Sequence, residues 1–145
     1  YTLSLHDALP ISVEVLTAEF SRILDEDIYP VFSEMETPIL IGLDYPSVDG
    51  AATACIQVNG DCISFESFNQ PYADIPQVGL DLQQQADIYS AALLSINDRS
   101  WVSGLVSRGY YPPVPMIDKS SSIRQKSAEG VVKYWYYGIL ANQTP

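Results

Sequence analysis

Pro38-Ile39-Leu40-Ile41-Gly42-Leu43-Asp44-Tyr45-Pro46-Ser47 is the stretch on which the fold is read. A mostly apolar run empties into a carboxylate, an aromatic ring and a proline. A strand buried in a parallel sheet is written as a continuous apolar run, and turn residues at its end mark the start of a loop. The stretch therefore predicts a parallel strand over 38–43 that opens into a functional loop.

Downstream, residues 44–80 form a long connection. It begins with turn chemistry, Asp44-Tyr45-Pro46-Ser47-Val48-Asp49-Gly50. A connection this long carries function or small structure of its own. Cys55-Ile56-Gln57-Val58-Asn59-Gly60-Asp61-Cys62 lies inside it, with Asn59-Gly60 as a tight-turn signal. Cys55 and Cys62 either close a disulfide or stand as buried thiols. A disulfide implies an oxidising compartment, hence an extracellular or cell-surface protein. There is no further cysteine, and the single histidine, His6, sits near the N-terminus. No metal site and no cofactor is expected from that set.

Asp81 to Asn97 predicts a helix. Leu82, Ala86, Tyr89, Leu93 and Ile96 fall on one face, and Asp81 with Gln84 resembles a capping box. A second strand, Trp101-Val102-Ser103-Gly104-Leu105-Val106-Ser107, empties into Arg108-Gly109-Tyr110-Tyr111-Pro112-Pro113. Met116 to Lys126 reads as a polar connection. Ser127 is placed to cap a last helix in which Ala128, Val131, Val132, Trp135 and Ile139 share a face. Asn142-Gln143-Thr144 fits a glycosylation sequon.

Upstream, Val13 to Glu26 predicts a helix with Leu16, Phe20, Ile23 and Leu24 at helical spacing. Asp27 is expected to cap a short second helix with Pro30 in its first turn and Ile28, Val31, Phe32 and Met35 as a buried stripe. Residues 1–12, Tyr1 to Ser12, resemble translated sequencing-adapter DNA of the kind found at broken ends of reading frames from environmental, metagenomic reads. They are set aside as an artefactual leader, and His6 goes with them. The remainder, 13–145, is expected to be a fragment of a longer protein.

The order helix, strand, long loop, helix, strand, loop, helix describes an α/β fold with parallel strands. Neither GxGxxG nor GxxxxGK[ST] occurs, which argues against a nucleotide-binding doubly wound sheet. Long loops on the C-terminal side of the strands suit a (β/α)8 barrel. The 145 residues carry a formal net charge of -11, and Arg22 is the only basic residue before Arg99. Such a surface repels phosphate backbones, so nucleic acid is not an expected partner. No apolar run approaches a membrane span, so no transmembrane segment is expected. Ten tyrosines and two tryptophans serve either as core filling or as platforms for sugar rings.

A family resemblance rests on these residues. Pro38, the apolar run and Tyr45-Pro46-Ser47, then a helix, then Trp101-Val102-Ser103-Gly104 on a strand, then a closing helix with Trp135-Tyr136, resemble the end of a glycoside hydrolase barrel. The likeness is to the β-mannanase and cellulase clan, in particular glycoside hydrolase family 113, and covers roughly residues 30–137. It implies that Pro38–Leu43 is the seventh barrel strand and Trp101–Ser107 the eighth, with Ser127–Tyr137 as the last helix. The chain is then an incomplete, C-terminal portion of a TIM (β/α)8 barrel, lacking the N-terminal part of its own barrel. The implied chemistry is retaining hydrolysis with two carboxylates. The acid/base glutamate would lie upstream. The nucleophile's place, counted from Pro38, is held by Leu43, with Asp44 adjacent.

The expected function is therefore that of a glycoside hydrolase-like protein acting on or binding a polysaccharide or oligosaccharide, with the fragment alone inactive. The alternative is a non-catalytic carbohydrate-binding barrel, a pseudoenzyme or surface lipoprotein. Asp44 is the catalytic candidate; a hydrogen-bonding carboxylate at a turn is the other reading. Glu66, between Phe65 and Ser67-Phe68, would suit general-acid work if buried and is an ordinary surface carboxylate if exposed. Tyr45, Tyr110 and Tyr111 are candidates to stack on sugar, or else pack the rim. Arg108 would bind a substrate hydroxyl, or else pair with Asp44 or Asp49.

Overall fold

The computed structural model describes residues 11–53, 55–71, 73, 75–111 and 117–142. His6, and Gln143 and Thr144 of the sequon, lie outside the described residues. In chain order the elements are α1 (Val13–Arg22), α2 (Tyr29–Met35), β1 (Ile39–Leu43), β2 (Ile56–Val58), β3 (Asp61–Ile63), α3 (Leu82–Asn97), β4 (Val102–Ser107) and α4 (Ser127–Asn142).

Ser12 begins the helical path: its hydroxyl accepts from the Val15 N–H at 3.4 Å and caps α1. The expected break at Asp27 is corrected. A π-helical turn, Ile23–Ile28, leads directly into α2, which starts without a side-chain cap. Pro30 has no N–H to give back along the helix, and the turn before it is wider, the Tyr29 N–H closing on the Leu24 carbonyl. The expected buried stripe is also corrected. Val31 and Met35 are exposed, whereas Ile28 and Phe32 are half-buried. Phe32 stacks on Trp101 with ring centroids 5.5 Å apart.

β1 and β4 pair in parallel, with Ile41 opposite Leu105 and Leu43 opposite Ser107. Successive strand residues face opposite sides. Leu43 and Leu105 point into the helix layer, at 3% and 6% exposure. Leu40 and Val106 point the other way and are 63% and 51% exposed. A two-stranded parallel sheet so built has one covered and one open face.

α3 connects the two strands' neighbourhoods. The Asp81 carboxylate accepts from the Gln84 N–H at 2.8 Å and starts the helix as its sequence predicts. Its burial is wider than the predicted stripe. Ala86, Tyr89, Leu93 and Ile96 pack with Leu43 and Leu105, while Ile88 and Ala91 pack with Leu16, Val48, Ile56 and Phe68. One helix thus serves two cores, the second roofed by the 44–80 connection.

That connection has structure of its own. β2 and β3 form an antiparallel hairpin whose turn residues, Asn59 and Gly60, both have positive φ (52° and 91°). This is the geometry that Asn-Gly supplies most cheaply. A 3-10 turn, Phe65–Phe68, follows. No helix among the described residues is long and apolar enough to cross a membrane.

Candidate functional site

The site begins where the two parallel strands end. The Arg108 N–H donates to the Leu43 carbonyl at 2.9 Å, which extends the ladder by one step. Asp44 and Arg108, the next residues out of β1 and β4, therefore stand side by side at the C-terminal edge of the sheet. Arg108 Nη1 lies 3.6 Å from Asp44 Oδ2, and the arginine side chain is 70% exposed. An ion pair this open holds little on its own.

Asn69 makes the closer contact. Its Nδ2 donates to Asp44 Oδ2 at 2.6 Å. Asp44 Oδ1 is turned inward and has no hydrogen-bond partner among the described residues. Beneath lies Tyr89, fully buried, whose hydroxyl is 3.5 Å from the Leu43 carbonyl. Burial first, then the charges of Asp44 and Tyr45, push this hydroxyl well above the usual tyrosine range. It stays a neutral phenol.

Asn69 is fixed from several sides. Ser121 Oγ donates to its Oδ1 at 2.9 Å, and the Tyr111 hydroxyl donates to its carbonyl at 3.1 Å. The Ser121 N–H donates to the Phe68 carbonyl at 3.1 Å. Tyr111 is held in turn by its own N–H, which donates to Ser122 Oγ at 3.3 Å. The Tyr111 ring passes directly over Gly109: a Cβ built there would lie 2.8 Å from the ring, and Gly109 has φ 75°. Only glycine accepts both conditions.

The serines come from 117–126, which the sequence presents as a polar connection. The structure differs: Asp118, Ser120, Ser121, Ser122, Ile123 and Lys126 are all buried. Lys126 Nζ lies 3.0 Å from Asp118 Oδ2, 2.9 Å from Ser47 Oγ and 2.7 Å from the Ser120 carbonyl. Burial pushes the Lys126 ammonium below the ordinary lysine range, and the bond to Asp118 opposes that shift. A buried ion pair persists when its remaining hydrogen-bonding groups are satisfied, and here they are. Asp and Ser are ordinary loop residues, so Asp118-Lys119-Ser120-Ser121-Ser122 carries no local mark of burial. The cluster ties Ser47, just past β1, to the segment that holds Asn69.

The other candidates fall elsewhere. Tyr45 packs edge-on against Phe20 (6.2 Å) and Phe65 (5.8 Å), and burial pushes its hydroxyl up. The Tyr110 hydroxyl donates to Glu129 Oε1 at 2.7 Å, and the Arg124 guanidinium lies 5.3 Å from its ring centre. Glu66 is exposed on the 3-10 turn and does not join the cluster. Cys55 and Cys62 form a disulfide, S–S 2.02 Å, that joins the residue before β2 to the middle of β3. Leu43 is sealed in the helix layer, and the open-face position beside it is Gly42, where a Cβ would meet nothing within 4 Å. Among the described residues no group of three or more His, Cys, Asp or Glu side chains gathers as a metal site.

The arrangement is a carboxylate, an amide and a guanidinium at the C-terminal ends of parallel strands, walled by a tyrosine. Such a set offers both hydrogen-bond acceptors and donors. The chain matches no family model and no curated protein. Among solved structures it is similar to one described as "Complex structure of GH113 beta-1,4-mannanase", with a TM-score of 0.58 and 23% identity. The match covers 83% of this chain and 36% of that one, so the chain spans about a third of the matched structure's length. At this identity the likeness establishes fold alone: the chain is a mixed α/β structure that shares part of the matched structure's fold.

Proposed function

We propose that this chain supplies strands seven and eight of a glycoside hydrolase-like (β/α)8 barrel, as its C-terminal part, and that the Asp44, Asn69 and Arg108 cluster binds an oligosaccharide. The observation that carries this is the placement of Asp44 beside Arg108 at the C-terminal ends of two parallel strands. Barrel enzymes bind their ligands at that end. A sugar hydroxyl donates to the carboxylate while the guanidinium donates to a neighbouring oxygen, and Tyr111 lines the wall. The Cys55–Cys62 disulfide supports an extracellular or cell-surface location.

Two readings of the chemistry follow. In the hydrolytic one Asp44 is the nucleophile, the acid/base glutamate comes from the upstream barrel, and the chain alone is inactive because it holds one carboxylate of the pair. In the binding one no nucleophile stands on β1. The burial of Leu43 and the bare Gly42 at the open-face position favour the second reading.

The test is calorimetric titration of the full natural protein with mannotetraose, beside an assay for released reducing ends on mannan. Binding is expected, and Asp44→Asn is expected to weaken it about tenfold or more, as for a lost hydrogen bond to a charged group. Unchanged affinity in Asp44→Asn removes Asp44 from the site. Binding without release of reducing ends assigns the non-catalytic reading; release that Asp44→Asn abolishes assigns the hydrolytic one.

A further inference from the structure

We infer that Asn69 is the positioning residue of this site, and that Ser121 sets the direction in which its amide points. The inference rests on the reading of the strand tips as an oligosaccharide site. An asparagine amide has nearly the same shape in either orientation, so its direction is chosen by its partners. An ionised Asp44 only accepts hydrogen bonds, so the NH2 group must face it. The other end of the amide is then an acceptor, and the Ser121 hydroxyl stands 2.9 Å from it as the donor. The main chain of Asn69 is held separately, by the Tyr111 hydroxyl on its carbonyl.

The consequence falls on Asp44. Its side chain is 28% exposed, yet Oδ1 is buried and unpartnered among the described residues. The exposed part therefore lies away from Oδ1. Arg108 is too open and too distant to direct a carboxylate, whereas Asn69 bonds Oδ2 at 2.6 Å. Asn69 thus keeps Oδ1 turned inward and Oδ2 at the strand tips. A carboxylate oxygen has two lone pairs, so Oδ2 takes the amide on one and retains the other for a ligand hydroxyl.

An exchange of the two side chains tests this in the full natural protein. Asn69→Asp alone sets two carboxylates against each other, and the unfolding equilibrium should shift about tenfold or more toward the unfolded state. The double variant Asp44→Asn with Asn69→Asp restores one amide facing one carboxylate, and most of that loss should return. Should Asn69→Asp alone fail to fold, recovery of folding in the double variant is the expected result. Mannotetraose affinity behaves differently. It should be lost in Asn69→Asp and stay lost in the double variant, because the charge has moved to the wrong side of the pair. Additive losses of stability with no recovery overturn the coupling. Recovery of affinity together with stability overturns the positioning role. If the parent protein binds no mannotetraose but the unfolding cycle still shows recovery, the oligosaccharide reading fails and the Asn69–Asp44 coupling stands.

Discussion

Leu43 and Asp44 are neighbours in the chain with different surroundings. Leu43 is packed among α3 side chains, so Leu43→Ala removes buried volume with little room to collapse. An unfolding free energy lower by about 2–5 kcal/mol is expected in denaturant titration. Asp44, one residue on, has left the strand and belongs to the loops. Lys126 shows the opposite discrepancy: a charged residue in a polar segment that is nearly inaccessible. Lys126→Met leaves the Asp118 carboxylate buried without its cation, and a loss of about 3–5 kcal/mol is expected. Lys126→Met combined with Asp118→Leu should cost less than Lys126→Met alone, because no unpaired charge remains. A double variant at least as unstable as the single one would deny that the pair acts as a unit. Glu66 and Tyr110, both legible as candidates from residue type, end outside the Asp44 cluster because nothing local fixes where an exposed turn or loop residue will face.

At the scale of elements, caps and turns follow the local chemistry. Asp81 starts α3 with the bond its sequence predicts, and Asp81→Ala is expected to cost about 1 kcal/mol in thermal or denaturant unfolding. Asn59-Gly60 turns the hairpin as expected. The miss is at Asp27, where the chain continues through a π-helical turn. A capping residue only caps if the chain turns there, and the packing of the π-turn residue Leu24 in the main core keeps the helical path going. The same turn carries Asp25, which bonds Arg99 at the end of α3 and so links the two helices. That hydrogen bond holds the Asp25 carboxyl below its usual range. A carboxyl depressed in the folded state stabilises it above the unfolded group's pKa, and this contribution disappears as pH falls through the folded value. The stability difference between the parent and Asp25→Asn should therefore be present near neutrality and shrink as pH falls below the ordinary carboxylate range. A difference that grows on acidification would contradict this assignment.

For the whole molecule the telling feature is the open sheet face. Leu40 and Val106 are exposed on it, although both belong to apolar strands. The outer edge of β4 is partly occupied: the Tyr136 hydroxyl donates to the Leu105 carbonyl at 2.6 Å and lies 3.4 Å from the Leu105 N–H. One side chain there engages groups that a strand edge otherwise offers to another strand. If the proposed barrel is right, Leu40 is covered in the full natural protein. Leu40→Asp should then destabilise that protein by several kcal/mol, the cost of burying an unpaired charge. A change within about 0.5 kcal/mol, the range of ordinary surface substitutions, would leave Leu40 at the surface and sink the barrel reading.

The sequence by itself determined the parallel α/β order, the two strands, the capped α3, the tight hairpin turn and the place of Asp44 and Arg108 at strand tips. Each follows from periodicity, capping or turn chemistry that acts over a few residues. Only the tertiary structure decided that Leu43 faces the helices, that Cys55 and Cys62 are joined, and that Asn69 and Ser121 stand behind Asp44. Asn69 is 25 residues from Asp44, and Ser121 is 52 from Asn69. No local pattern records a partnership over such separations. The run 118–126 looks like a solvated loop because all its residues but Ile123 are polar; its burial arises because Ser47, Asp118, Ser120 and Lys126 satisfy one another once the chain has brought them together.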